Sequence, residues 1–193
     1  MIAAVVLAAG LSQRMGRPKL VLPWGTTTVI GRVVSVLLEA GASPVVVVTG
    51  GAHVLVEQAL EGLPAWTAFN PRHMEDQMIL SLQIGLAKLP ETVEAALVAL
   101  GDQPQIETAV VQAVMTEYRA SRAAIVVPSY QMRRGHPWLL DRQLWPTLLA
   151  LAPPATLRDF LQAQAGLIRY LPVESASILK DLDTPEDYAS QAP

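Results

Sequence analysis

Residues 2–19 read IAAVVLAAGLSQRMGRPK, and this stretch changes character half-way along. From Ile2 to Leu7 it is apolar and rich in β-branched side chains, with no polar position to face water. That is the pattern of a strand buried on both faces. Gly10, Ser12, Gly16 and Pro18 punctuate the residues that follow, so a loop must come next. Farther on, Val29, Ile30, Val33, Val36, Leu37 and Ala40 recur at helical spacing until Gly41 stops the pattern. A fully buried strand, a glycine-rich loop and a helix make the first half of a parallel crossover unit.

The same alternation continues. Strands are predicted at 45–49, 66–69, 95–100 and 124–127, and helices at 54–60, 78–89 and 106–120. Strands and helices of these lengths imply right-handed crossovers and a doubly wound, mostly parallel α/β sheet in three layers. The pattern weakens after Pro128, with a basic turn at Arg133, Arg134 and Gly135 and proline-rich segments near 146 and 153–154. A helix is predicted near 157–165, and a strand pair at 168–171 and 177–179 is expected to complete the sheet. Thr184, Pro185, Glu186 and Asp187 offer an N-cap, a first-turn proline and first-turn acids, so a last helix starts there.

Composition narrows the function classes. The chain has 193 residues, 51% of them hydrophobic and only 16% charged, which supports a sizeable core in one domain and excludes global disorder. Its net charge of −3 gives no overall attraction to nucleic acid or to an anionic membrane. The longest apolar runs, 2–9 and 95–100, are far short of the roughly 20 residues that span a bilayer, and the early cations follow the first run rather than precede it. Without cysteine there is no disulfide scaffold, no thiol nucleophile and no thiolate metal site, and a cytoplasmic location is expected. The charge is also segregated: no acid precedes Glu39, whereas Arg14, Arg17, Lys19 and Arg32 do.

In open α/β sheets ligands bind beyond the carboxyl ends of the strands, so the loops there carry the candidates. In LAAGLSQRMGRPK, residues 7–19, small side chains let backbone N–H groups approach an anion, and three cations within six residues neutralise a polyphosphate. The loop reads as a triphosphate cradle, with a solvated surface loop as the alternative. It has neither P-loop nor GxGxxG spacing. Asp102, in Gly101-Asp102-Gln103-Pro104 after the strand at 95–100, suits a divalent cation that takes one or two protein carboxylates plus phosphate oxygens. Its alternative is a turn aspartate that caps the next helix. Asp181 and Asp183, two apart on an extended segment, share a face and can serve one site, unless Asp183 only caps the last helix. His53, His73 and His136 are scattered and lack zinc-site spacing. A cationic loop with strand-end carboxylates is the parts list of metal-assisted nucleotidyl transfer, which needs no protein nucleophile.

These residues resemble the MobA-like nucleotidyltransferases. LAAGLSQRMGRPK fits that family's LAAGxSxRMGxxK signature. NPRHMEDQMILSLQIGL at 70–86, GDQP at 101–104, RRGHP at 133–137 and DLDTPEDY at 181–188 are similar to further motifs of its molybdenum cofactor cytidylyltransferase branch. The resemblance implies a nucleotide-diphospho-sugar transferase type of sheet, in which residues 1–104 serve nucleotide and metal and 105–193 serve the acceptor. It further implies CTP or another NTP, Mg²⁺ with Mn²⁺ as an alternative, a molybdopterin-type acceptor and, as a further partner, a molybdoenzyme of the xanthine dehydrogenase type. By analogy Leu7, Ala8, Ala9, Gly10, Asn70 and Ser81 lie against the nucleotide and Arg14 and Lys19 hold its phosphates. Asp102 with Asp181 or Asp183 holds the metal, and Arg133, Arg134, Gly135 and His136 meet the acceptor. Guanylyl transfer, another phosphorylated acceptor, or a non-catalytic cofactor-binding role are the alternatives. The chain departs from the branch in two places. Gln77-Met78-Ile79-Leu80-Ser81-Leu82 stands for Gly-Met-Ser-Ser-Ser-Leu, and APPATLR at 152–158 stands for a glycine-rich Gly-Asp-x-Gly-Ala-Arg.

Overall fold

Along the first strand, β1 (Ile2–Ala8), the side chains of Ile2, Ala4, Val6 and Ala8 enter one hydrophobic core and those of Ala3 and Val5 enter another. That is why the strand has no polar position: it has no solvent-facing side. The computed structural model describes residues 1–193, the side chain of Gln13 aside. After β1 come the short pair β2 (Pro23–Trp24) and β3 (Thr27–Thr28), then α1 (Val29–Glu39), β4 (Val45–Thr49), α2 (His53–Ala59) and β5 (Ala65–Phe69). They are followed by α3 (Met78–Ala87), β6 (Ala95–Leu100), α4 (Thr108–Ser121), β7 (Ile125–Tyr130), β8 (Arg133–Arg134) and β9 (Trp138–Asp141). The chain closes with α5 (Trp145–Leu149), α6 (Leu157–Ala163), β10 (Ile168–Pro172) and α7 (Pro185–Gln191).

The main sheet has the order β10-β7-β9-β6-β1-β4-β5, with β8 paired to β7. β1 pairs in parallel with both β6 and β4, whereas β9 runs antiparallel to β6 and to β7. α1 and α4 pack their apolar stripes on one face of the sheet, and α3, α5 and α6 cover the other. The expected doubly wound, three-layered, mostly parallel sheet is therefore the architecture found. Among the described residues, no helix is long and apolar enough to cross a membrane.

Two local expectations need correction. Residues 177–179 are not a strand; Ala176–Leu179 is a 3-10 turn. The Ser175 hydroxyl accepts from Ser177 N–H at 3.2 Å, and Ile178 C=O accepts from His136 N–H at 3.1 Å. Side-chain capping and a bond to another loop take the groups a ladder would need. The antiparallel β9 is a further element that the sequence pattern does not predict, because three apolar residues, Trp138–Leu140, after a proline carry no periodicity of their own.

Three parallel strands end side by side: Ala8 lies opposite Thr49, and Leu7 opposite Leu100. Beyond them, Gly101 N–H donates to Leu7 C=O at 3.0 Å, and Asn70 N–H donates to Thr49 C=O at 2.9 Å. The loops after β1, β4, β5 and β6 are thus gathered at one end of the sheet.

Candidate active site

The β1 loop is held down at both ends. Met15 is buried among the residues of the first core, and Lys19 opens a short 3-10 turn whose Leu20 is also buried. Close passage of the neighbouring loop depends on glycine: a Cβ on Gly50 would lie 2.6 Å from Ala9 O and 3.0 Å from Ala9 Cα. A Cβ on Gly101 would sit 3.1 Å from Leu7 O.

Into this gathering the fold brings charges from three distant parts of the chain. Lys19 Nζ donates to Asp102 Oδ2 at 2.6 Å and to Asp183 Oδ1 at 3.3 Å. Arg14 Nη2 lies 3.0 Å from the other oxygen of Asp183. Lys19 is only 13% exposed and Arg14 is 71% exposed, so the two cations differ in kind. Burial works against the charged form of Lys19, but the Asp102 and Asp183 carboxylates more than offset it and hold the ammonium above its ordinary value. An exposed pair such as Arg14–Asp183 is worth about 0–1 kcal/mol, little enough for Arg14 to leave Asp183 for a phosphate.

The two bland readings of these aspartates are both answered by the geometry. Asp102 caps no helix, since α4 begins beyond Glu107 without a side-chain cap. Thr184, not Asp183, is the N-cap of α7: its hydroxyl accepts from Asp187 N–H at 3.1 Å, and Asp187 Oδ2 accepts from Thr184 N–H at 2.8 Å. The segment 181–183 is laid against the β6 loop by two more bonds. Leu182 N–H donates to Asp102 C=O at 3.1 Å, and the buried Gln103 donates to Asp181 Oδ1 at 2.6 Å. Burial and the nearby Asp102 and Asp183 charges push the Asp181 carboxyl up, and the bond from Gln103 only partly offsets them.

A cavity of about 360 Å³ opens over these groups. Leu7, Ala8, Ala9, Gly10, Arg14, Lys19, Asn70, Ser81, Asp102 and Asp183 all line it. Asp181, turned toward Gln103, lies outside that lining, and so does the exposed Arg17. Asn70 and Ser81 are buried and bonded to each other at 3.0 Å, and Asn70 Oδ1 also accepts from Arg72 N–H at 2.9 Å, so both are fixed before any ligand arrives. A second cavity, of about 670 Å³, adjoins the first. Arg134, Gly135 and His136 line it, but Arg133, on the opposite side of β8, does not.

Residues 4–167 match the family model described as the MobA-like NTP transferase domain. The chain belongs to this family. It is 29% identical over 192 residues to nicotine blue oxidoreductase of Paenarthrobacter nicotinovorans, covering 96% of this chain and 93% of that one. It is 24% identical to molybdenum cofactor cytidylyltransferase of Escherichia coli K12, covering 95% and 92%. Among solved structures it superimposes on Rv0371c of Mycobacterium tuberculosis with a TM-score of 0.86 and 28% identity, covering 98% and 96%. Rv0371c is also known in complex with manganese, a structure matched at a TM-score of 0.78 over 99% and 97% of the two chains at 28% identity. A nucleotidyl transferase of Methanothermobacter matches at 0.83 and 25%, covering 100% and 96%. Family and neighbours together make the chain a nucleotidyltransferase of the MobA-like type.

Within this MobA-like site, Gln77 and Met78 of the segment that departs from the family pattern line the first cavity, while sequence reasoning missed Ser12, His73 and Asp76, which also line it, and Gly50 beneath it. Gly50 carried a readable signal, a glycine directly after the buried strand Val45–Thr49. Asp76 carried none, because its left-handed conformation (φ 50°) is set by the turn before α3. His73 Nδ1 lies 3.0 Å from Asn70 C=O, and His53 packs on Phe69, roles within the loops rather than at a metal. Among the described residues, no group of three or more His, Cys, Asp or Glu converges as a ready-made metal site. Asp102 and Asp183 nonetheless converge on one cation, the ammonium of Lys19. Two hard oxygen donors aimed at one positive point fit a divalent ion completed by phosphate oxygens.

Proposed function

We propose that the chain transfers a nucleotidyl group to a phosphorylated small molecule, with CMP from CTP to a molybdopterin-type acceptor as the specific reaction. The observation that carries the reading is the convergence of Arg14, Lys19, Asp102 and Asp183 on one cavity, two cations and two carboxylates from three distant parts of the chain. In that reaction an acceptor phosphate oxygen attacks the α-phosphorus in line. The new P–O bond forms as the bond to the bridging oxygen breaks, and that electron pair leaves on pyrophosphate. No protein nucleophile or redox partner is required.

Ala8, Ala9 and Gly10 present backbone to the phosphates, and Lys19 and Arg14 exchange their carboxylate partners for phosphate oxygens. Asp102 and Asp183 would hold Mg²⁺, or Mn²⁺ as in the mycobacterial relative, and the ion would draw negative charge from the triphosphate. Asp181, through Gln103, would keep Asp183 in place. On this reading residues 1–104 supply most of the nucleotide site and 105–193 the acceptor site, in a cytoplasmic enzyme that hands its product to a molybdoenzyme.

A second reading has one observation in its favour: the 29% identity over 96% of this chain to a protein named as an oxidoreductase. Thermal-shift titration with the four NTPs and Mg²⁺ or Mn²⁺ separates the two. The transferase reading expects one NTP to raise Tm selectively and pyrophosphate to appear with acceptor. No shift with any NTP, together with oxidation of a reduced nicotinamide by an aromatic dye, would overturn it.

A further inference from the structure

The two edges of the main sheet, β10 and β5, differ in chemistry. β10 carries Arg169, whose guanidinium donates to Glu117 at 2.9 Å, and it ends in Pro172; a charge and a proline both discourage a further strand. β5 reads Ala65-Trp66-Thr67-Ala68-Phe69, with neither a charge nor a proline. Its Trp66 and Phe69, on opposite faces of the strand, are 51% and 46% exposed. Phe69 packs on His53 at the start of α2, and Val54 and Leu55 of that helix are exposed as well. Large apolar side chains gathered along an edge that nothing blunts are the mark of an interface. The backbone there is set for another strand. Asn70 N–H donates to Thr49 C=O at 2.9 Å, so by alternation Ala68 and Trp66 turn their backbone groups toward β4, whereas Ala65, Thr67 and Phe69 turn theirs away from the sheet.

We infer that β5 pairs with β5 of a second copy of this chain, antiparallel about a two-fold axis at Thr67, so that two main sheets join into one. In that register Thr67 lies opposite Thr67 of the other copy, Trp66 opposite Ala68, and Phe69 opposite Ala65. Each aromatic side chain meets an alanine, which leaves it room, and the two threonines meet at the axis as a favourable cross-strand pair. The outward backbone groups fall where the ladder needs them: the two Thr67 residues exchange N–H to C=O bonds, and Phe69 N–H reaches the other copy's Ala65 C=O. Residues 62–71 carry no charge, so the axis brings no like charges of the two strands face to face. The complementarity of sizes and bonds is internal to one five-residue strand, and a two-fold axis satisfies it twice over; that is why the occupant is a second copy rather than a foreign strand. Nothing in the inference depends on the reaction assigned to the site.

The test is sedimentation velocity of the full chain over a dilution series. The wild type should sediment as a dimer at about 100 µM and dissociate on dilution. Thr67 is exposed, so a charge there leaves the fold intact, and only the axis places it opposite itself. T67K and T67E should therefore each weaken the dimer by at least roughly tenfold, since each sets like charges face to face. An equimolar mixture of T67K and T67E should recover the dimer, because lysine then lies opposite glutamate. Far-ultraviolet circular dichroism of both variants should match that of the wild type. A wild type that is monomeric at about 100 µM would overturn the inference and leave the edge to a foreign strand. Dimers that persist in both single variants, or a mixture that stays monomeric, would overturn it as well.

Discussion

Lys19 Nζ stands 2.6 Å from Asp102 Oδ2 although 83 residues separate the two, and each is largely shielded from water. The pair joins the loop after β1 to the strand-end carboxylate, so its removal should affect chemistry and folding differently. Asp102→Asn keeps the shape and loses the charge, and pyrophosphate release should fall on the order of 100-fold or more. Lys19→Met leaves two carboxylates facing each other without their cation, and urea denaturation at pH 7 should show a loss of about 1–3 kcal/mol. An Asp102→Asn variant with the wild-type rate would remove Asp102 from the metal-binding role.

Gly50 packs its α-carbon beneath Ala9, where a Cβ would lie 2.6 Å from a backbone oxygen that cannot swing aside. Gly50→Ala should therefore lower stability by about 1–3 kcal/mol and reduce the nucleotide-induced rise in Tm, because the cradle must shift to admit one methyl group. Gly166→Ala, where nothing lies within 4 Å of the added atom, is the matched control and should be close to neutral. Equal effects of the two substitutions would show that the contact at Ala9 is not tight.

His136 lines the second cavity with burial holding its imidazole neutral, its pKa pushed down to about 4. The charged groups that share that cavity are Arg134 and Arg158, both cationic. The unfolded chain takes up this proton near pH 6.5 and the folded chain only near 4, so the unfolded state binds more protons between those values. Stability from this group is complete above about pH 6.5 and is lost as pH falls toward 4, at most about 3 kcal/mol in all. Tm measured from pH 7 to 4 should fall less steeply in His136→Asn than in the wild type. Parallel curves would show that His136 takes up its proton alike in the folded and unfolded states.

Much of this molecule was legible in its sequence because its signals are local. Runs such as Val45–Val48 have no polar residue and declare strands buried on both faces, and Thr184-Pro185 declares the start of a helix through its own hydroxyl and ring. The phosphate-loop candidates were legible for the same reason, as small residues and cations crowded into one short segment. β9 and the turn at Ala176–Leu179 were not, since each owes its conformation to partners far along the chain.

By itself the sequence determined the alternation of elements and the doubly wound sheet, and it singled out the loop at 7–19 and Asp102 as candidates for one site. Only the tertiary structure decided that Asp183 rather than Asp181 faces the cavity, that Arg134 rather than Arg133 borders the second one, and that Arg158 joins it. The physical reason is range. Hydrophobic period and capping act over a few residues, whereas the aim of a side chain into a shared cavity depends on how Gln103, Leu182 and β8 are anchored by strands elsewhere in the sheet.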